Sequence, residues 1–193
     1  MTQSALKFAP YGIANFNVLR SDDFAYVDKT QFIAKLEESR TLYPFIVRPR
    51  RFGKTLFTQT LQAYYDIAAA KDFERNFAGT YIGKHKTPLA NTFRVIHFDF
   101  SGISSEDFSD DFTNKIRLGL SNFCARYQFK KGASLLENSY ASAHSLLTTF
   151  ILEYNKTFDT PIYLIIDEYD QGANEVLATS LESFQGLTRS GGV

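Results

Sequence analysis

The most apolar run of the sequence, Ile162 to Ile166, is followed at once by the acidic residues Asp167 and Glu168. A continuous apolar run of this length is typical of a central parallel strand that is buried on both faces. Parallel strands need long crossover connections, usually helices, and these helices cover the faces of the sheet. The run therefore predicts an α/β fold with a mainly parallel sheet.

Strand-like and helix-like stretches alternate along the rest of the chain, as they do in three-layer α/β proteins. Two further strands are predicted, at Leu42 to Val47 and at Arg94 to Phe100. Helical spacing of apolar residues predicts amphipathic helices in the following places: after Lys54, from Phe108 to Tyr127, and from Leu146 to Tyr154, with a short helix near Phe73 to Phe77 and a turn at Thr87-Pro88. We expect one globular domain, in which residues 1–40 pack on a core formed by residues 41–193.

The composition is that of an ordinary globular protein of 193 residues, long enough for one substantial core. Its 21 basic and 21 acidic residues cancel, so no overall field draws it to nucleic acid or to a membrane. No signal core and no apolar run of about 20 residues is present, which favours a cytoplasmic location. The single cysteine, Cys124, lies on the apolar face of a predicted helix and is expected to be a buried thiol.

The loop between the first predicted strand and helix carries a phosphate-binding pattern. Phe52-Gly53-Lys54-Thr55 matches the second half of G-x-x-x-x-G-K-[ST], whereas Arg48 stands where that pattern has its first glycine. Phosphate is held chiefly by backbone N–H groups at a helix N-terminus, where the helix dipole also favours negative charge. The candidate nucleotide-binding residues are those of the loop and the first helical turn: Arg50, Arg51, Phe52, Gly53, Lys54, Thr55 and Leu56.

Each residue of this pattern has an expected role. Lys54 would place its ammonium against the β- and γ-phosphates, and the Thr55 hydroxyl would coordinate magnesium. Arg50 and Arg51 could contact phosphate or form ion pairs within the fold, and the sequence does not choose between these roles. The alternative for the whole motif is that Gly-Lys-Thr simply begins a helix, with Lys54 in solvent.

The acidic residues after the apolar run supply the second half of the predicted site. A carboxylate next to a buried strand is costly to desolvate unless it meets a cation, so Asp167 is expected to bind magnesium through a coordinated water. Glu168 would orient or deprotonate the attacking water, which makes Lys54 and Glu168 the candidate catalytic residues. The alternative is that Asp167, Glu168 and Asp170 begin a solvated loop or cap a helix near Asn174.

Three segments together resemble the AAA-ATPase-like family of bacterial proteins: Tyr26 to Thr30, Arg48 to Thr55, and Leu164 to Asp170. In that family the phosphate loop itself reads R-P-R-R-F-G-K-[ST], without the leading glycine. The resemblance extends from about Gly12 to the end of the chain. It implies a P-loop NTPase fold and the cofactors ATP and Mg²⁺, with Lys54 and Thr55 at the nucleotide and Asp167 and Glu168 as the acidic pair.

The resemblance also implies a longer protein. Members of the family often carry a PD-(D/E)XK nuclease-like domain after the ATPase, and related ATPases insert a further strand between the phosphate-loop strand and the acidic strand. The sequence ends at Ser190-Gly191-Gly192-Val193 before such a strand is expected, so we interpret it as a truncated N-terminal part with an incomplete sheet. No nuclease core is recognisable, and nuclease activity is not predicted.

Two other functions are compatible with the motifs. One is a switch module that binds ATP with little turnover, and the other is a nucleic-acid-handling protein in which Arg48, Arg50 and Arg51 face a polynucleotide. Zero net charge argues against the second function as the main role. No base-reading motif distinguishes ATP from GTP, and the sequence does not indicate an oligomeric state.

Other polar residues have simpler interpretations. Tyr26 to Thr30 would lie near the nucleotide by the resemblance, or else Asp28 or Thr30 caps a helix whose buried face includes Phe32, Ile33 and Leu36. Asp99, near the end of a strand where α/β proteins place ligands, is a candidate supporting residue for the site. The three histidines are too scattered to predict a metal site: His85, His97 and His144.

Overall fold

The computed structural model describes residues 7–49, 51–104, 107–140 and 142–170. These residues form a mixed α/β structure with a parallel sheet of two strands. They divide into two compact units, one ending at Arg94 and the other beginning at Val95. The organisation of residues 1–40 and 41–193 as one globular domain stays a prediction.

The first unit is helical. Its helices are α1 (Phe16–Ser21), α2 (Gln31–Glu38), α3 (Lys54–Tyr65), a 3₁₀ helix (Ile67–Asp72), α4 (Phe73–Phe77) and α5 (Tyr81–Lys84). Its core is largely aromatic, with the Phe77 ring 5.3 Å from Phe16, 5.5 Å from Tyr64 and 4.9 Å from Phe73 between ring centroids. The predicted helices after Lys54 and at Phe73 to Phe77 are confirmed, as is the turn that follows Thr87.

The second unit packs helices against a short sheet. Its elements are β1 (Arg94–Asp99), α6 (Phe108–Tyr127), α7 (Lys130–Leu136), α8 (Ala143–Thr157) and β2 (Ile162–Asp167). Alternate side chains of β1, including Ile96 and Phe98, enter a buried cluster with Leu120 and Phe123 of α6 and Phe150 of α8. The predictions of strands at β1 and β2, from apolar runs, and of helices at α6 and α8, from helical apolar periods, are confirmed.

The predicted strand over residues 42–47 is wrong, because the structure has no strand there. The side chains of Leu42, Tyr43, Phe45 and Val47 are between 67% and 90% exposed. An extended apolar segment becomes a strand only when a neighbouring backbone pairs with its N–H and C=O groups, and Pro44 lacks an N–H group altogether. Within the described residues, the sheet pairs β1 with β2 and does not include this segment.

The strand β2 forms as predicted, but it is not buried on both faces. Ile165 and Asp167 are buried, whereas the alternate side chains Leu164 and Ile166 are 51% and 44% exposed. An apolar run fixes the tendency of a strand to be buried, but the neighbouring elements decide how much of it is covered. The face of β2 that carries Leu164 and Ile166 is therefore only partly covered in this structure.

No helix in the described ranges is both long and apolar enough to cross a bilayer. The sequence likewise contains no uninterrupted apolar run of the required length of about 20 residues. The cytoplasmic location stays a prediction.

Candidate functional site

Gly53 turns the chain from the phosphate-loop segment into α3. It is the N-terminal cap of that helix, with a left-handed φ of 77°, and its carbonyl accepts the N–H of Phe57 at 3.0 Å. Arg51 also has a positive φ, of 68°, and the N–H of Phe52 donates to the carbonyl of Pro49 at 3.2 Å. An added Cβ at Gly53 would meet no atom within 4 Å. Backbone conformation, rather than crowding, therefore favours glycine here.

The first turn of α3 brings Lys54, Thr55 and Leu56 together, all half-buried, directly after this glycine. N–H groups in the first turn of a helix have no acceptor within the helix, so such a turn offers donors to an anion. Phe52 lies beside this turn with 62% of its surface exposed, and Arg51 is also exposed. Arg50, which was predicted with them, lies outside the described residues.

The buried face of α3 fixes the position of its first turn. Phe57, Leu61, Tyr64 and Tyr65 are all buried, and burial of each large apolar side chain stabilises the fold by about 1.5–3 kcal/mol. At the far end of the helix, the Tyr65 hydroxyl donates to a carboxylate oxygen of Glu37 in α2 at 3.0 Å. The helix is therefore a packed support for its N-terminal turn.

Arg48, which replaces the first glycine of the general pattern, is held between two aromatic rings. Its guanidinium carbon lies 5.8 Å from the centroid of Phe32 in α2 and 5.1 Å from that of Phe57 in α3. These residues share an open pocket of about 210 Å³, lined by Phe32, Lys35, Leu36, Ser39, Ile46, Arg48 and Phe57. The motif does not reveal this arrangement, because the two rings come from helices on either side of the loop.

The Tyr26 to Thr30 segment joins two helices. One carboxylate oxygen of Asp28 accepts the N–H and the hydroxyl of Thr30, at 2.8 Å and 2.7 Å, and the other accepts the N–H of Tyr81 at 2.6 Å. The Thr30 hydroxyl oxygen accepts the N–H of Ile82 at 3.0 Å. Thr30 is the cap residue of α2 but makes no side-chain cap bond to it, so both side chains bind the start of α5 instead.

The burial predicted for α2 holds only in part. Ile33 is fully buried, but Phe32 is 38% exposed and Leu36 is half-buried. Phe32 is exposed because it lines the pocket beside Arg48 rather than the core. A helical apolar period indicates which residues share a face, but it does not show which of them reach the core.

The acidic end of β2 contains a buried carboxylate followed by a left-handed residue. Asp167 is 3% exposed, and one of its carboxylate oxygens accepts the N–H of Glu168 at 3.0 Å. Glu168 has a φ of 52°, in the left-handed region, which is uncommon for a residue with a side chain. On the neighbouring strand, the N–H of Phe100 donates to the carbonyl of Asp167 at 3.1 Å.

His97 lies two residues before Asp99 on β1, and the two side chains therefore share a face of the strand. Burial lowers the pKa of His97, while the negative charges of Asp167 and Asp99 partly oppose that shift. Its Nε2 is buried and has no hydrogen-bond partner among the described residues. The lowered pKa favours the neutral form of His97 beside the Asp167 carboxylate.

Within the described ranges, no three His, Cys, Asp or Glu side chains are grouped closely enough to hold a metal ion by themselves. Magnesium at phosphate sites usually needs fewer protein ligands, because one or two carboxylates act together with phosphate oxygens and water. A hydroxyl such as that of Thr55 and a carboxylate such as that of Asp167 fit this ligand chemistry.

Comparison with known proteins assigns the chain to a family. The model of the AAA-ATPase-like family, described as predicted AAA-ATPases, matches residues 10–190. The chain belongs to this family. A stretch of 56 residues of this AAA-ATPase-like chain, 28% of its length, is 54% identical to an uncharacterized protein in the vnfD 5' region of Azotobacter chroococcum mcd 1. That stretch spans 11% of the length of the relative, and no solved structure matches the chain.

The two halves of the candidate site lie in different units of this AAA-ATPase-like chain. Gly53 to Leu56 belong to the first unit, and Asp167 and Glu168 belong to the second. Their convergence on one nucleotide stays a prediction. The alternative in which the acidic residues cap a helix near Asn174 concerns residues outside the described ranges.

Proposed function

We propose that this AAA-ATPase-like chain binds ATP together with Mg²⁺ and hydrolyses it. The observation that carries the proposal is the left-handed Gly53, which leads directly into Lys54 and Thr55 in the first turn of a packed helix. The left-handed turn into a helix that begins with Lys-Thr is the loop-to-helix part of the phosphate-binding pattern, and the family match over residues 10–190 also supports the proposal.

The phosphate groups would be held by the loop and the first turn of α3. Backbone N–H groups of a first helical turn can donate to an anion, and the positive end of the helix dipole also favours negative charge there. The open space at Gly53 would let phosphate oxygens approach the backbone, and the Lys54 ammonium would neutralise the β- and γ-phosphates. Arg50, Arg51 and Phe52 would flank the nucleotide.

Magnesium would be held by the Thr55 hydroxyl and, through a water molecule, by Asp167. When bound, the ion neutralises charge on the phosphate oxygens. The low exposure of Asp167 supports this role, because a buried carboxylate is stabilised by a cation. The three-layer P-loop arrangement that would bring Thr55 and Asp167 together forms part of the proposal.

Glu168 would orient or deprotonate the water that attacks the γ-phosphate. Its left-handed backbone agrees with this role, because strained residues are enriched at active sites. A cytoplasmic location and a nuclease-like domain in the full-length protein complete the proposal.

The binding step can be tested by titration calorimetry with ATP and magnesium. The Lys54→Ala variant should lose most of the affinity of the native chain. Lys71→Ala is a matched control, because Lys71 is an exposed lysine of the same unit outside the loop. Equal binding by the native and Lys54→Ala chains would overturn the site assignment, and the same titrations with GTP would establish the preferred base.

The hydrolysis step can be tested by single-turnover kinetics with excess protein. Glu168→Gln should bind Mg·ATP as tightly as the native chain and release phosphate at least about 100-fold more slowly, since general-base catalysis typically contributes 10²–10⁴. Tight magnesium-dependent binding without phosphate release by the native chain would show a switch module instead of an ATPase.

A further inference from the structure

Arg48 has an unusual environment for an arginine in a phosphate loop. Its guanidinium carbon lies over the faces of two aromatic rings, 5.8 Å from the centroid of Phe32 and 5.1 Å from that of Phe57. A guanidinium between aromatic faces is held by cation–π attraction and by stacking. Each such contact is worth about 0.5–1 kcal/mol where solvent is near, and the side chain of Arg48 is half-buried.

The two rings connect Arg48 to the elements on either side of the loop. Phe32 belongs to α2, which precedes the loop in sequence. Phe57 lies one turn into α3, and its N–H donates to the carbonyl of Gly53. Arg48 at the start of the loop and Gly53 at its end are therefore both held against the first turns of α3. A glycine at position 48 would have no side chain to make the first of these contacts.

We propose that Arg48 is a positioning residue, which fixes the start of the phosphate loop by stacking between Phe32 and Phe57. This inference rests on the proposed binding of ATP at that loop. The loop binds phosphate through backbone N–H groups, and their alignment depends on both ends of the loop being held. Direct contact between Arg48 and phosphate is the alternative, and it depends on charge rather than on the aromatic rings.

Titration calorimetry of substituted chains with Mg·ATP distinguishes stacking by Arg48 from direct contact between Arg48 and phosphate. If Arg48 acts by stacking, Arg48→Ala and Phe32→Leu should each weaken binding, Arg48→Ala by on the order of tenfold. The double variant should bind about as weakly as Arg48→Ala alone, because both changes remove the same contact. Arg48→Lys should bind more weakly than the native chain, since a lysine ammonium can approach one ring but lacks the planar guanidinium face that stacks on both.

The chain offers a matched control on the same ring. The Lys35 ammonium lies 5.3 Å from the centroid of Phe32 but belongs to α2 and not to the loop. Lys35→Ala should therefore leave nucleotide affinity unchanged. The positioning role would be overturned if Arg48→Lys and Phe32→Leu both bound Mg·ATP as tightly as the native chain. That result would indicate that Arg48 contacts phosphate directly through its charge.

Amide hydrogen exchange measured without nucleotide tests the positioning role of Arg48 separately from ATP binding. Arg48→Ala should speed exchange of the Phe52 and Gly53 amides and leave the centre of α3 unchanged, as only the loop is released. Unchanged loop exchange would overturn the positioning role even if the native chain binds ATP. Faster loop exchange in a chain that binds no ATP would instead refute the proposed function and retain the structural contact.

Discussion

The backbone N–H of Phe100 donates to the carbonyl oxygen of Asp167 at 3.1 Å, and this bond sets the register of the two parallel strands. At this end of the two parallel strands, a carbonyl that accepts the N–H of one residue lies opposite the residue before that donor on the neighbouring strand. Asp167 therefore lies opposite Asp99, with both side chains on the same face at the carboxyl ends of their strands. Asp99 is exposed and Asp167 is buried.

This pairing predicts that Asp99→Asn stabilises the second unit in the absence of magnesium. Like charges directly opposite each other on a sheet are unfavourable by about 0.2–1 kcal/mol, and Asn retains an oxygen that can accept the N–H of Ser101. Urea unfolding in EDTA should show a gain of about 0.5 kcal/mol at low salt that shrinks in concentrated NaCl. Asp159→Asn, at another exposed acid of this unit, should show no gain. A salt-independent gain would point to a cause other than repulsion.

Gly53→Ala should lower both stability and nucleotide affinity, whereas Gly79→Ala should lower stability alone. Both glycines have left-handed φ, of 77° and 74°, with open space where a Cβ would lie. Alanine in this conformation costs about 1 kcal/mol at either position. Chemical unfolding and ATP titration of the two variants provide the comparison. Similar losses of affinity in both would show that strain, and not the position of Gly53 in the loop, causes the effect.

Asp28→Ala should destabilise the first unit without a specific effect on the affinity of folded protein for ATP. The substitution removes the acceptor for the Thr30 hydroxyl and for the N–H groups of Thr30 and Tyr81. Because the carboxylate is exposed, we expect the free energy of unfolding to fall by about 1 kcal/mol, less than for a buried hydrogen bond to a charged group. Glu38→Ala, at an exposed carboxylate of α2, is the control for urea unfolding. A loss of affinity with unchanged stability would instead place Asp28 at the nucleotide.

Burial raises the pKa of the Cys124 thiol from 9.0 to about 11. The unfolded chain therefore loses this proton at lower pH than the folded chain does. The stability contributed by the protonated thiol is fully present below pH 9.0 and is lost as pH rises through about 11. Native protein should lose more stability over this range than Cys124→Ala, as measured by urea unfolding at each pH. Parallel curves would show that the thiol is not protected from ionisation.

Several elements could be predicted because their signals are local. The periods of α3, α6 and α8 and the apolar runs of β1 and β2 gave the correct element types. The order Gly53-Lys54-Thr55 also gave the position of a helix N-terminus, since Gly53 is its cap. Residues 42–47 had a similar strand signal, but a strand depends on pairing with a distant segment, which no local pattern guarantees.

In the candidate site, too, some features follow from local sequence and others depend on contacts between distant residues. The sequence by itself determined the family, the order of the phosphate-loop residues and the presence of an acidic strand end, because these follow from residue types and spacing. Only the tertiary structure decided that Arg48 stacks between Phe32 and Phe57, that Asp28 and Thr30 bind the start of α5, and that Asp99 lies opposite Asp167. These contacts join residues far apart in the chain, and their energies depend on distances that are fixed only when helices and strands pack together.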